Sequence, residues 1–352
     1  MTHNPWRRSL VKREPAELGK PLVDPAEWYP DDIKGSDTWI YQLSKSETAE
    51  IEAAVAGIEA RGLDIKDITK AEFPLPRFAA ALEDVRGELL DGRGFALVRG
   101  LDLTRLTKPQ FAAAFWGIGT YLGEVLSQNA SGHLLGHVKD IGEDYAKVRG
   151  YMTRAYMPLH CDQCDFLSLA CFHNARSGGE HLICSSVALY NEMLRRRPDL
   201  ATQLGQHYYR SRKNEIPLGE TEPWIKQPIF GFHDGYFAAR GVSDAIDKAQ
   251  GLPGVPPLTD LDREALQMFR DVALELAVEI PFEHGDLFYL CNHVTLHSRK
   301  AFEDWPEPER KRHLLRLWLS TKGARPLPPE IAERSEGVYV EGTVFKAPVD
   351  VE

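Results

Sequence analysis

Three stretches far apart in the chain carry the residues best suited to chemistry: Leu159-His160-Cys161-Asp162, Asn292-His293-Val294-Thr295-Leu296-His297 and Arg312-His313-Leu314-Leu315-Arg316. On a strand, residues i and i+2 share a face, so His160 and Asp162 are expected to point together at one metal while Cys161 faces away. Two imidazoles and a carboxylate on one face of an iron(II) ion leave its opposite face open for substrates. An arginine fork a strand away can hold a carboxylate in two parallel hydrogen bonds. The three stretches read as a non-haem iron site with an anion clamp. His293 and His297 compete for the third ligand position, because four residues apart on a strand they share a face and pattern alone does not separate them. A second HxD, His284-Gly285-Asp286, reads better as a turn entering the apolar run Leu287-Phe288-Tyr289-Leu290.

Elements must bring these stretches together. Helical spacing of Ile51, Ala54, Val55 and Ile58 behind a Ser46/Thr48 cap region, and of Phe78, Leu82, Val85 and Leu89 before Gly92, predicts two amphipathic helices. Thr107 caps a third, through Phe111, Phe115 and Ile118, and the Thr259-x-x-Asp262 signal opens a fourth, through Leu266, Phe269, Ala273 and Leu276. Short β-like runs at 95–98, 166–172, 208–210, 229–232, 236–239, 287–291 and 314–319 form an antiparallel barrel pattern. The segment Ser127–Gly150 is irregular, which makes Gln128 and Asn129 pocket candidates. The expected organisation is an N-terminal extension (1–45) wrapping the surface, one domain (46–320, barrel core about 92–320) and a C-terminal tail (321–352) without a clear assignment.

Composition excludes several classes. A net charge of −10 argues against a nucleic-acid binder, which needs a basic face for phosphates. The N-terminus lacks the apolar region of a signal peptide and no run of 18 uncharged apolar residues spans a bilayer, so a soluble, cytoplasmic protein without membrane partners is expected. Five cysteines point to reduced thiols, Cys161-Asp162-Gln163-Cys164 included. His133, His137, His173, His207 and His313 read as structural. The partner is a small-molecule substrate, and self-association is compatible with the chain.

Taken together, His160-x-Asp162, Gly178-Gly179-Glu180, Gly285-Asp286, Asn292-x-x-x-x-His297 and Arg312-x-x-x-Arg316 resemble the taurine dioxygenase/phenoxyacetate dioxygenase (TauD/TfdA) family of iron(II)- and 2-oxoglutarate-dependent oxygenases, over roughly residues 92 to 320. The resemblance implies an α+β fold, a clavaminate synthase-like double-stranded β-helix (a jelly roll, or cupin-like barrel) with flanking helices. It implies His160, Asp162 and His297 as iron ligands, Arg312 on the C5 carboxylate of 2-oxoglutarate and Arg316 near an anionic group of the substrate. His181 stands where the family commonly places Thr or Ser against the cosubstrate; an imidazole can still donate one hydrogen bond, with Ser185 and Ser186 as substitutes. The implied reaction uses O2 and 2-oxoglutarate to hydroxylate a C–H bond, releasing succinate and CO2. A non-redox cupin-like metal enzyme would share the triad without needing Arg312, and a silent binding protein would keep the core without all the ligands.

Overall fold

The computed structural model describes residues 11–143, 148–213, 215–217, 219–333 and 335–350. Part of the irregular segment, residues 144–147, lies outside the described residues. The chain builds two facing sheets. The larger runs Ile40–Gln42, Phe95–Arg99, Leu287–Cys291, Phe166–His173, His313–Ser320 and Glu124–Leu126, with Gly136–Val138 also paired to His313–Ser320. The smaller runs Val278–Ile280, His181–Ser185, Thr295–Arg299 and Met157–His160, all antiparallel. Together they form the jelly roll that the resemblance implies.

The larger sheet is covered on both faces, which explains its unbroken apolar runs. Phe95, Leu97, Leu167, Leu169, Phe288, Leu290, Leu314 and Trp318 pack inside the barrel. Their alternates Ala96, Val98, Phe166, Ala170, Tyr289, Leu315 and Leu317 pack against the helices. Three of the longer helices carry capping boxes: Ser44 with Glu47 opens Lys45–Arg61, Thr107 with Gln110 opens Lys108–Gly119, and Thr259 with Asp262 opens Asp260–Glu275, which packs on the smaller-sheet side. The first helix thus begins earlier than Ser46/Thr48 suggests, because Ser44 accepts the hydrogen bond from Glu47 N.

Between His181–Ser185 and Val278–Ile280 the chain inserts the helix Ser186–Arg196 and two hairpins, His207–Ser211 with Trp224–Pro228 and Phe230–His233 with Tyr236–Ala239. Asp234 and Gly235, with φ of 47° and 75°, make the tight turn of the second hairpin. Within the segment 11–45 the chain does more than wrap the surface: Trp28 packs edge-on to Phe95, and buried Asp24 pairs with Arg13 and Arg325. His284-Gly285-Asp286 is the expected turn, in which Asp286 forms a bidentate pair with Arg99. All five cysteines are free. Among the described residues, no helix is long and apolar enough to cross a membrane.

Candidate active site

His160 ends the strand Met157–His160, and Asp162 lies just beyond it, where the chain leaves the smaller sheet for the larger. The shared-face expectation for a continuous strand therefore does not describe how the two meet; the crossing between sheets brings Asp162 round to His160. His297 is paired across the sheet with His160, their rings 4.2 Å apart. Asp162 Oδ1 lies 3.9 Å from His160 Nε2, and Oδ2 lies 3.8 Å from His297 Nε2. One donor atom from each of the three residues falls within 4.8 Å of the other two, a grouping that can hold one metal ion.

The surroundings prepare those donors. His160 Nδ1 donates to the Pro158 carbonyl at 2.8 Å, which leaves Nε2 as the lone-pair nitrogen facing the site. Trp318 Nε1 and Arg316 Nη1 both donate to Asp162 Oδ2, at 2.8 and 3.4 Å, so Oδ1 stays open towards His160. Asp162 N donates to Asn292 Oδ1, which ties the Asn292 segment to the HxD segment. Burial pushes the His160 pKa down and the His297 pKa well down, keeping both imidazoles neutral and able to ligate.

His293, the rival for the third position, points elsewhere: its Nε2 bonds the Asp165 carboxylate at 2.9 Å and lies outside the triad. His284 stacks edge-on against His173, also away from the site. A second group, His137, His313 and Asp350, meets the same geometric condition, but its two imidazoles are hydrogen-bonded to each other at 2.8 Å and Asp350 is paired with Lys108 and Lys139.

Beside the triad lies a narrow cavity of about 30 Å³ lined by His160, His181, His297, Arg299, Arg312 and Arg316. Arg312 is buried, and no carboxylate among the described residues forms an ion pair with it. Its Nη2 reaches the Gly179 carbonyl at 3.4 Å, and Nη1 is buried without a hydrogen-bond partner. Burial lowers its pKa to about 10. The Gly178-Gly179 motif explains its seat: Gly179 has φ of 77°, and a Cβ there would come within 3.0 Å of Arg312 Nε. His181 is stacked between Phe282 and His297, with burial and then Arg312 lowering its pKa to about 3 and its Nε2 lacking a partner.

A larger cavity of about 550 Å³ opens from His160, Cys161, Asp162, Arg316 and Trp318 towards the inserted hairpin, and Arg316 lines both spaces. Gln128 and Asn129 line neither. Gln128 is fully buried and accepts from Arg316 Nε at 2.7 Å, so it positions Arg316; Asn129 bonds His133 and Ser131. Sequence reasoning missed Trp318, Arg299 and the basic residues of the larger cavity. Trp318 was legible, being two residues from Arg316 on one strand face. Arg299 was legible in the same way, two residues from His297 on the strand Thr295–Arg299, whereas Arg210, Arg212, Lys213, Arg240 and Lys248 come from an insertion whose place in the fold no local pattern specifies.

The profile of the taurine catabolism dioxygenase TauD, TfdA family matches residues 60–318, and the chain belongs to that family of iron(II)- and 2-oxoglutarate-dependent oxygenases. Among curated proteins it is similar to FR-33289 synthase of Streptomyces rubellomurinus, 29% identical over 332 residues covering 91% of this chain and 96% of the relative. Taurine hydroxylase-like protein SAT17 of Stachybotrys chartarum is 28% identical over 346 residues, covering 94% and 88%. The fold matches the non-heme iron oxygenase OrfP in complex with Fe, succinate and (3S)-hydroxy-L-Arg at a TM-score of 0.61 and 16% identity, over 82% of this chain and 99% of that one. Asparagine oxygenase AsnO also matches at 0.61 and 16% identity, over 88% and 99%.

Proposed function

We propose that this enzyme hydroxylates a C–H bond of a small anionic molecule, with iron(II) held by His160, Asp162 and His297. Arg312 grips the distal carboxylate of 2-oxoglutarate. The observation that carries this reading is the joint geometry: the three donor atoms gather within 4.8 Å, beside a cavity that contains a buried arginine without an ion-pair partner. A buried guanidinium without a counter-charge is costly, and a dicarboxylate cosubstrate supplies that charge. The iron, when bound, supplies the oxidation of 2-oxoglutarate by O2 that drives the reaction. The protein orients both carboxylates and keeps the imidazoles neutral. His181, neutral at physiological pH, can donate one hydrogen bond to the cosubstrate. Arg316, at the junction of the two cavities with Nη2 unpartnered, faces the primary substrate.

A non-redox metal enzyme of the same fold has no use for Arg312. We assign the catalytic unit to residues 46–320, flanked by the segments 1–45 and 321–352, and a cytoplasmic setting, which the free thiols support. The reading is tested by incubating the iron(II)-loaded protein with 2-oxoglutarate and a panel of small anions under air, and quantifying succinate by mass spectrometry. Succinate formed in step with an oxygenated anion is expected. Consumption of neither 2-oxoglutarate nor any anion under these conditions would overturn it.

A further inference from the structure

We propose that the segment 335–350, beyond the residues that the family profile matches, is a positioning element of the active site: Gly337 and Val338 hold Asp162 and Arg316 in their mutual arrangement. This goes beyond the reading above and rests on it in one respect, the assignment of Asp162 as an iron ligand.

Two consecutive backbone N–H groups are the first observation. Gly337 N donates to the Gln163 carbonyl and Val338 N to the Ser127 carbonyl, each at 2.9 Å. Gln163 follows Asp162 in the chain. Ser127 precedes Gln128, which accepts from Arg316 Nε at 2.7 Å and donates from its own Nε2 to the Arg316 carbonyl at 2.8 Å. Arg316 in turn donates to Asp162 Oδ2 at 3.4 Å. One short piece of backbone thus grips both segments whose spacing decides how Asp162 faces the metal. Ser127 and Gln128 are fully buried, so their polar groups are cut off from water and depend on these partners.

Packing fixes the same piece of chain. Val338, 3% exposed, joins the apolar cluster inside the barrel to which Leu126 and Trp318 belong, and Trp318 is the other donor to Asp162 Oδ2. Gly337 has φ of 83°, and a Cβ there would lie 2.7 Å from the Ser127 carbonyl oxygen and 3.0 Å from Leu126 Cβ, so the close approach needs glycine. Further along, Lys346 N donates to the Gly132 carbonyl at 3.0 Å and Leu134 N to the Lys346 carbonyl at 2.8 Å. The Leu134 carbonyl accepts the second bond from Gln128 Nε2, at 2.9 Å. The segment is therefore bonded to the loop 127–134 on both sides of Gln128, and a shift of either one moves the group that holds Arg316.

The test is the affinity of the full chain for iron(II), measured by competition with a chelator under exclusion of oxygen. Gly337→Ala is expected to weaken iron binding about tenfold in the wild-type background, but only about threefold or less once Arg316→Ala has cut the route through that donor. Val85→Ala, a core change in the helix Phe78–Asp91 outside the barrel, is expected to lower the urea midpoint and leave iron affinity at the wild-type value. Should Gly337→Ala not fold, Val338→Ala, which keeps the backbone N–H and trims the side chain, goes through the same two backgrounds with a loss again expected to shrink beside Arg316→Ala. Wild-type affinity in the folded variant, an equal loss in both backgrounds, or an equal loss in Val85→Ala overturns the proposal. Asp162→Ala reports the ligand assignment separately. Stoichiometric iron in that variant refutes the assignment, and the proposal falls with it; loss of iron there with intact affinity in Gly337→Ala refutes the proposal alone.

Discussion

Asp162 is the most constrained of the candidate iron ligands, because Trp318 and Arg316 both donate to its Oδ2 and fix which oxygen remains open. Trp318→Phe keeps the ring and removes the donor. It is expected to lower iron affinity by roughly 10- to 100-fold, the usual effect of losing an outer partner of a ligand, as measured by competition with a metal chelator. His160→Ala, Asp162→Ala and His297→Ala should each abolish stoichiometric iron by plasma emission, whereas His293→Ala, which loses only the Asp165 bond, should retain it. Near-normal iron in His297→Ala would reassign the third position. Arg312→Ala should raise the 2-oxoglutarate constant about 30-fold or more, since removing one partner of a buried charged hydrogen-bond pair costs roughly 2–5 kcal/mol. Arg312→Lys should not restore it fully, because an ammonium lacks the planar fork. An unchanged constant in titrations of Arg312→Ala would shift the clamp to Arg299 or Arg316, which line the same cavity.

Beyond the hairpin Phe230–His233/Tyr236–Ala239, the chain passes close behind the HxD segment: a Cβ on Gly241 would lie 2.6 Å from His160 Cα and 3.1 Å from Cys161 N. Backbone cannot yield as a side-chain tip can, so Gly241→Ala should displace His160. The expected result is a loss of about 1–3 kcal/mol in urea unfolding, together with weakened iron binding. Stability lost with iron affinity intact would mean that the hairpin, not the HxD segment, gives way. Those hairpins also show what a sequence reveals. Strands such as Phe166–His173 and helices such as Asp260–Glu275 were legible from apolar runs and caps, because burial on both faces or one stripe writes a period into the residues. The motif residues were legible from spacing and family likeness. The strands His181–Ser185 and Thr295–Arg299 were not, since histidines, serines and an arginine occupy positions there that tertiary contacts bury, and the helix Ser186–Arg196, though it buries Val187, Leu189, Tyr190 and Met193, was not read from the sequence. The roles of Gln128 and the basic residues of the larger cavity depend on which distant segments meet, and no local period encodes that.

Across the whole molecule, charge is distributed unevenly: an acidic chain encloses a basic cavity and several buried neutral histidines. His137 Nε2 donates to the Pro348 carbonyl, so its Nδ1 accepts from His313 Nε2, and the tail is tied to the barrel edge by this pair and by Asp350 on Lys108 and Lys139. Burial lowers the pKa of His137 to about 4 and that of His313 to about 2. Both folded values lie below the ordinary histidine value, so the unfolded chain binds these protons first. Stability is therefore full above about pH 6.5 and falls as the pH drops towards 4, by up to about 1.4 kcal/mol per pH unit for each histidine. Urea unfolding between about pH 7 and 4.5 should show this slope, and His137→Gln with His313→Gln should reduce it, the remainder coming from the other buried histidines, His160, His181, His293 and His297. An equal slope in the double variant would place the acid sensitivity elsewhere. The most direct measurement of the iron and cosubstrate assignment is visible absorption of the protein with iron(II) and 2-oxoglutarate under strict exclusion of oxygen. A metal-to-ligand charge-transfer band is predicted for the wild type and for His293→Ala, and its loss for His297→Ala. A wild-type protein that binds iron and 2-oxoglutarate yet shows no such band would contradict direct chelation of the cosubstrate at His160, Asp162 and His297.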